Sequence, residues 1–419
     1  MDAASRDARG FSSAFAVLQA DALRPRFYEQ VTMMFRGQAR QLWARTLTSC
    51  GAVPSTMACA VEPHAIELGT IELPEQKRPI RVLAVTPLPS SKSSMIYVTR
   101  QVASLEAVGV TCQTFSVASR TSPWVVLGEW RRLRREIRKF QPELVHAHYG
   151  TVTAFLAVLS TTLPVVVTYR GSDLNPNRGR GWLREVVGVL LSQIAALRAA
   201  RIICVSKQLK NKLWWRRNLA SIIPTGVDMT LFYPHDLQEA RRELGWGLSE
   251  RVVFFNASDP LCKRLDLAKA AVQFAESLCG RIRFAVLNGN VPPNLIPLMM
   301  SAADCLLLTS DWEGSPNVVK EALACNLPVV SVDVGDVRER LDGVWPSLIV
   351  PRDAREIGKA ICEILGRGQR SNGRESEKDL SSEAVSARIV SVYRALQIDG
   401  LKSDSAVLET TKSPSSLRA

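Results

Sequence analysis

Two α/β domains, each a parallel sheet wrapped by helices in the Rossmann manner, are predicted for this 419-residue chain from three observations. The length exceeds what one ordinary core supports and suits two. From Ile80 onward short β-branched runs alternate with stretches of helical periodicity, the pattern of βαβ units and a parallel sheet. The polar and charged residues that punctuate this pattern gather just after the runs, where ligands of open parallel sheets collect.

The runs Val82–Val85, Leu144–Ala147, Val165–Thr168, Ile202–Val205 and Ser221–Ile223 are expected strands of the first domain. Val252–Phe255, Phe284–Leu287, Cys305–Leu308 and Pro328–Val332 are expected strands of the second. Between the sets, Ile223–Pro234 carries the Pro and Gly residues of a turn and not of a further element. The division is therefore 79–240 for the first domain and 246–375 for the second, with a closing helix at 380–397 and a loose tail at 398–419. Residues 366–379, rich in Gly, Ser and charge, read as a loop. Residues 1–78 lack periodicity and show no apolar stretch behind a basic start, so they are expected to form a partly disordered extension.

Composition narrows the function. Hydrophobic residues make up 46% and charged residues 22%, and no apolar run of membrane-spanning length occurs. The nine cysteines are scattered without a Cys-x-x-Cys pair, which disfavours zinc and suits a reducing, cytoplasmic setting. The net charge of +13 is lopsided: residues 1–250 hold 32 Lys/Arg against 19 Asp/Glu, whereas the remainder is balanced. The first part is thus expected to face something anionic. Trp130–Lys139 and Trp214–Arg217 join aromatics to cations, a pattern of solvated basic helix faces and also of helices lying on anionic lipid. No recognised nucleic-acid-binding module accompanies the charge, so nucleic acid is not expected.

The most informative stretch runs from Thr309 to Val330. A strand ends near Leu308; Ser315 is a suitable N-cap and Pro316 a suitable first helical residue, and Asn326 suits the left-handed end of the helix. The amides of Asn317 and Val318 then emerge from a helix N-terminus, which favours a phosphate. Glu313 and Glu321 stand eight residues apart, roughly 12 Å if all were helical. Paired carboxylates of glycoside hydrolysis lie closer, at about 5–9.5 Å, so the two glutamates are read as grips on opposite ends of one long ligand.

On the block Glu313-Gly-Ser-Pro-Asn-Val-Val-Lys-Glu321-Ala-Leu-Ala-Cys-Asn-Leu-Pro-Val-Val330 the chain resembles the family-4 retaining glycosyltransferases of the GT-B fold, over roughly residues 80–397. The resemblance implies two Rossmann-like domains facing a central cleft, residues 79–240 taking the acceptor and 246–375 the nucleotide-sugar donor. It implies that Glu313 contacts donor-sugar hydroxyls, that Glu321 binds the nucleotide ribose, and that Gly314, Ser315, Asn317 and Val318 border the diphosphate. Where the family carries an arginine and then a lysine for the departing diphosphate, Lys263 matches the lysine but Ser258 stands at the arginine position. Either Arg264 substitutes or the site is weakened.

In the first domain, Leu144–Gly150 and Val166–Asp173 match motifs bordering the acceptor side, which makes His148, Arg170 and Asp173 candidate substrate contacts. Arg170 replaces a common histidine; it cannot act as a base but can hold an anion. Ser93 and Ser94 replace the glycines usual in the first βα loop and remain candidate contacts. No metal or other cofactor is expected, and the Asp-x-Asp triplet of metal-dependent enzymes is absent. The expected reaction is transfer of a sugar from a nucleotide diphosphate sugar to a glycan or lipid-linked acceptor in polysaccharide or cell-envelope synthesis. The expected location is cytoplasmic, with peripheral attachment to the inner face of the membrane. Two alternatives stand beside it: a GT-B nucleotide-sugar epimerase, and a catalytically degenerate partner subunit that binds without transferring.

Overall fold

The structure is a computed structural model and describes residues 78–88, 95–118, 122–175, 181–289 and 291–411. The N-terminal extension up to residue 77 and the candidate contacts Ser93 and Ser94 lie outside the described residues.

A six-stranded parallel sheet comes first: β1 (Arg81–Pro87), β2 (Thr111–Val117), β3 (Leu144–Ala147), β4 (Val165–Tyr169), β5 (Arg201–Cys204) and β6 (Ala220–Ile222), in the order β2-β1-β3-β4-β5-β6. Its helices are α1 (Ile96–Ala107), α2 (Pro123–Phe140), α3 (Thr151–Ser160), α4 (Trp182–Arg198) and α5 (Lys207–Lys212). The second sheet contains β7 (Arg251–Asn256), β8 (Ile282–Leu287), β9 (Cys305–Leu308), β10 (Val329–Ser331) and β11 (Leu348–Ile349), ordered β11-β10-β9-β7-β8. It is preceded by α6 (Leu237–Glu243) and served by α7 (Leu265–Cys279), α8 (Ile296–Ala302), α9 (Asn317–Ala324), α10 (Val337–Arg340), α11 (Ala354–Arg367) and α12 (Gly373–Ser376), before α13 (Ser382–Thr411) closes the chain.

Both faces of the first sheet are covered, which is why its strands read as unbroken β-branched runs. Side chains alternate between the two faces. Leu83, Val85, Val145, Val165, Val167, Ile202 and Cys204 enter one core under α2, α3 and α4. Val82, Leu144, Val166 and Ile203 enter the other, with Leu105 of α1 and Val385, Ile389, Tyr393 and Leu396 of α13. The final helix thus returns to the first sheet. The Ser104 hydroxyl donates to the Ser382 carbonyl at 2.9 Å, and the Tyr393 hydroxyl meets His146 Nδ1 at 2.6 Å.

In both sheets the strand order reverses once, between β1 and β3 and between β7 and β9. A crevice opens beyond the carboxyl ends of the strands at such a point. The residues following these four strands therefore carry the site.

Several elements depart from the sequence reading. Strand β2 was not expected because exposed Thr111 and Thr114 and half-buried Gln113 break its apolar run, and β11 has only two residues. The closing helix continues past 397 to Thr411, in place of a tail from 398. No proline interrupts that stretch, and Asp399 and Gly400 do not end the helix. Residues 366–379 are not a plain loop: α11 extends to Arg367, and α12 and a 3₁₀ turn at Lys378–Leu380 follow.

Candidate active site

Between the two switch points lies a cleft of about 580 Å³, lined from the second domain by Asn256, Ser258, Lys263, Glu313, Asn317 and Glu321, and from the first by Tyr97, Arg100, Tyr149 and Arg170. Helix α9 supplies its wall on the second-domain side. Pro316, at φ −67° and ψ 113°, sits just before the first helical residue, Asn317, so the proline is the N-cap and not the first helical position. Ser315 does not cap the helix. Its hydroxyl donates instead to Asp336 Oδ2 at 2.8 Å, across to the segment after β10. Asn317 and Val318 both line the cleft, and the first amides of a helix have no partners within it. The other end matches expectation, with Asn326 in the left-handed conformation at φ 54°.

Glu313 sits in the loop before α9. Its Oε1 accepts from the Ser310 hydroxyl at 2.7 Å and from the Lys263 ammonium. Burial alone would lower the Lys263 pKa, but the adjacent Glu313 carboxylate outweighs it and the net direction is upward. Lys263 therefore stays protonated. One helical turn after Asn317, Glu321 has its pKa raised by burial, with Arg100 and Lys320 pulling the other way. Arg100, from α1 in the first domain, brings Nη1 to 3.5 Å from Glu321 Oε1. This cross-domain pair joins residues 221 apart in sequence and was not anticipated.

Arg264, the candidate substitute for the arginine missing at Ser258, is placed elsewhere. It precedes α7 at φ 54°, with Nε 3.0 Å from Asp266 Oδ1 and Nη1 3.2 Å from Asp311 Oδ1, and it does not line the cleft. Two acidic neighbours hold it on the outer side of the turn.

On the opposite wall, Arg170 reaches the cleft but is heavily engaged. Nη1 donates to Thr225 Oγ1 at 2.9 Å, Nη2 donates to Gln101 Oε1 and to His148 Nδ1, the latter at 3.2 Å, and the guanidinium lies 4.8 Å from the Tyr97 ring centre. Accepting at Nδ1 makes His148 the neutral tautomer with its proton on Nε2. Burial, the neighbouring His146 and Arg170 all lower the His148 pKa. His148 is completely buried, its ring centre 3.9 Å from that of His146 with the planes tilted by 32°, and its Nε2 meets no partner among the described residues. Asp173 is likewise fully buried and is not a cleft contact: its carboxylate accepts from the backbone amides of Arg170, Gly171 and Gly150, tying the β4 loop to the β3 loop.

The two domains touch through glycine. A Cβ on Gly314 would lie 2.8 Å from the Arg170 carbonyl carbon and 3.1 Å from Val205 Cγ2, with the Arg170 carbonyl oxygen closer still. Beneath the cleft, Lys320 is fully buried and donates from Nζ to the Thr225 carbonyl at 2.8 Å, on the segment that crosses between the domains. Asp336, Glu377 and Arg340 surround it, Arg340 standing 3.6 Å from Asp336 and 3.8 Å from Glu377. Among the described residues, no three His, Cys, Asp or Glu side chains converge as a metal-binding group.

Two parallel sheets meeting at a cleft between their switch points define the GT-B glycosyltransferase architecture. The chain belongs to the family-4, group 1 glycosyltransferases: residues 76–231 match the model "Glycosyltransferase Family 4" and residues 266–367 match "Glycosyl transferases group 1". It is 28% identical over 246 residues to TuaC of Bacillus subtilis, named for a glycosyltransferase of teichuronic acid biosynthesis, a match that covers 54% of this chain and 61% of that protein. Among solved structures, sucrose-phosphate synthase of Thermosynechococcus elongatus superposes with a TM-score of 0.63 at 18% identity, over 76% of this chain and all of that one. Anabaena HepE in complex with UDP-glucose superposes at 0.56 and 17% identity, over 75% of this chain and all of HepE.

Proposed function

We propose that the chain transfers a glycosyl group, with retained anomeric configuration, from a nucleotide diphosphate sugar to a glycan or lipid-linked acceptor of polysaccharide or cell-envelope synthesis. The observation that carries the reading is the meeting, in one cleft, of the α9 N-terminus, a protonated Lys263, and the carboxylates of Glu313 and Glu321. Ribose hydroxyls donate to Glu321, sugar hydroxyls donate to Glu313, and the diphosphate takes Lys263 and the amides of Asn317 and Val318.

In the transfer, the bond from the anomeric carbon to the diphosphate oxygen breaks and a bond to the acceptor hydroxyl oxygen forms. The acceptor's proton passes to the departing phosphate. Charge grows on that phosphate, where Lys263 and the helix end stabilise it without reorganising. In this scheme the protein's own cations do the electrostatic work and no metal or other cofactor takes part.

The name of TuaC supports an envelope polysaccharide as acceptor, and transfer is preferred to epimerisation because that relative is named as a glycosyltransferase. A cytoplasmic location with an anionic membrane surface against the first domain is part of the proposal. On α2, Arg131, Arg134, Arg135, Arg138 and Lys139 are exposed beyond a Trp124 that is 82% exposed. Val125 of the same helix is also exposed, so cations and apolar tips occur together, as lipid-surface helices require. No helix among the described residues is long and apolar enough to cross a membrane.

A thermal-shift panel of UDP, GDP and ADP sugars with a chelator present tests the donor site. One nucleotide class should stabilise the wild type and should stabilise Glu321→Ala clearly less. Equal stabilisation of both proteins, or none of the wild type, would sink the assignment.

A further inference from the structure

We infer that Arg100 of the first domain is the diphosphate-binding arginine of this chain, exchanging its contact with Glu321 for the donor diphosphate when the ribose occupies Glu321. The inference rests on the donor-site reading above and deepens it.

The cations of the cleft lead to this assignment. A nucleoside diphosphate brings at least two negative charges. Ser258 supplies no cation, and Arg264 is bound by Asp266 and Asp311 away from the cleft. Arg170 is fixed by Thr225, Gln101 and His148. Lys263 divides its charge with Glu313. Arg100 is held differently. Its contact to Glu321 is long, at 3.5 Å, between side chains 27% and 20% exposed, and its guanidinium also lies 5.5 Å from the Phe232 ring centre and within the field of the Asp228 carboxylate.

Distance along α9 makes the exchange feasible. Arg100, Asn317 and Glu321 line one recess that opens into the cleft. Asn317 and Glu321 are four residues apart on the helix, so their side chains lie about 5–6 Å from each other on one face. An arginine released from Glu321 therefore needs to move by about one helical turn to meet a phosphate at the α9 N-terminus. Ribose hydroxyls compensate Glu321 for the lost partner, and the guanidinium gains a bidentate anion. Because Arg100 comes from α1 and the phosphate would rest on α9, the exchange also fastens the first domain to the bound donor.

The test compares nucleotide with nucleoside by isothermal titration, using whichever of UDP, GDP or ADP the wild type binds together with its matching nucleoside. Arg100→Ala and Arg100→Lys, first checked for unchanged unfolding temperature, are measured beside the wild type. The diphosphate should bind Arg100→Ala about tenfold to a hundredfold more weakly, the range for loss of one charge-assisted hydrogen bond, with partial recovery in Arg100→Lys. The nucleoside should bind Arg100→Ala as well as the wild type or better, since its Glu321 is unblocked. If nucleoside and diphosphate both tighten, Arg100 only obstructs Glu321 and the inference fails. It fails equally if the diphosphate is unaffected. A wild type that binds none of the three diphosphates overturns the donor-site reading itself, and the assignment with it.

Discussion

Replacing Gly314 by alanine perturbs a close approach between the two domains. The added Cβ would stand 2.8 Å from the Arg170 carbonyl carbon and 3.1 Å from Val205 Cγ2. The Arg170 carbonyl oxygen would be met closer still and sets the displacement, so the β4 loop and the loop before α9 must part by more than about 1 Å. Both obstacles are immobile: one is backbone, and the other a methyl of Val205, which is only 2% exposed. Overpacking of this kind costs about 1–3 kcal/mol. The larger effect should fall on function, because Glu313 is the adjacent residue and Arg170 lines the opposite wall. A displacement near 1 Å between reacting groups can cost about a hundredfold in rate. Turnover of the preferred donor by Gly314→Ala should therefore drop by one to two orders of magnitude, as read by nucleoside diphosphate release. Urea denaturation should show only the modest stability loss. Wild-type turnover in a folded Gly314→Ala protein would refute the view that this contact sets the cleft geometry.

Two further outcomes follow from buried charge. Burial, first of all, holds the His146 pKa down to about 3 and that of His148 well below its usual value. In the unfolded chain both protonate near pH 6.5, so the unfolded state binds more protons and stability falls as pH drops below that point. By pH 5 each histidine should cost about 2 kcal/mol, and His148→Asn should lose about that much less between pH 7.5 and 5 in urea titrations; an unchanged loss would show that His148 is already protonated in the fold. Lys320→Met leaves Asp336 and Glu377 without their central cation and should cost about 3–5 kcal/mol, an amount that adding Glu377→Gln partly restores. A loss below about 1 kcal/mol would remove Lys320 from the interdomain support.

Much of the fold was legible because buried parallel strands leave unbroken β-branched runs, as Val165–Tyr169 and Cys305–Leu308 do. Thr111–Val117 passed unnoticed because polar Thr111, Gln113 and Thr114 break its apolar run. Within the site, the local features of the Glu313–Glu321 segment were readable: the helix start near Pro316, the left-handed Asn326, and the glutamates on one continuous stretch. Pairings across the fold were not. Ser315 looked like a cap because a capping serine and a serine bonded to Asp336, 21 residues away, have the same sequence neighbourhood. Arg264 looked available although Asp266, two residues on, binds it; only its second acid, Asp311, is 47 residues distant and without a local sign. Arg100 has no local signature and acquires its role only when α1 is brought against α9.

The retaining transfer at the centre of the account is tested most directly by proton NMR of α-linked UDP, GDP and ADP sugars incubated with the protein, recorded before mutarotation. Slow cleavage of one donor should yield the α anomer first, and Glu321→Ala should suppress it. Release of the β anomer first, or no cleavage of any donor with or without added acceptor, would contradict it.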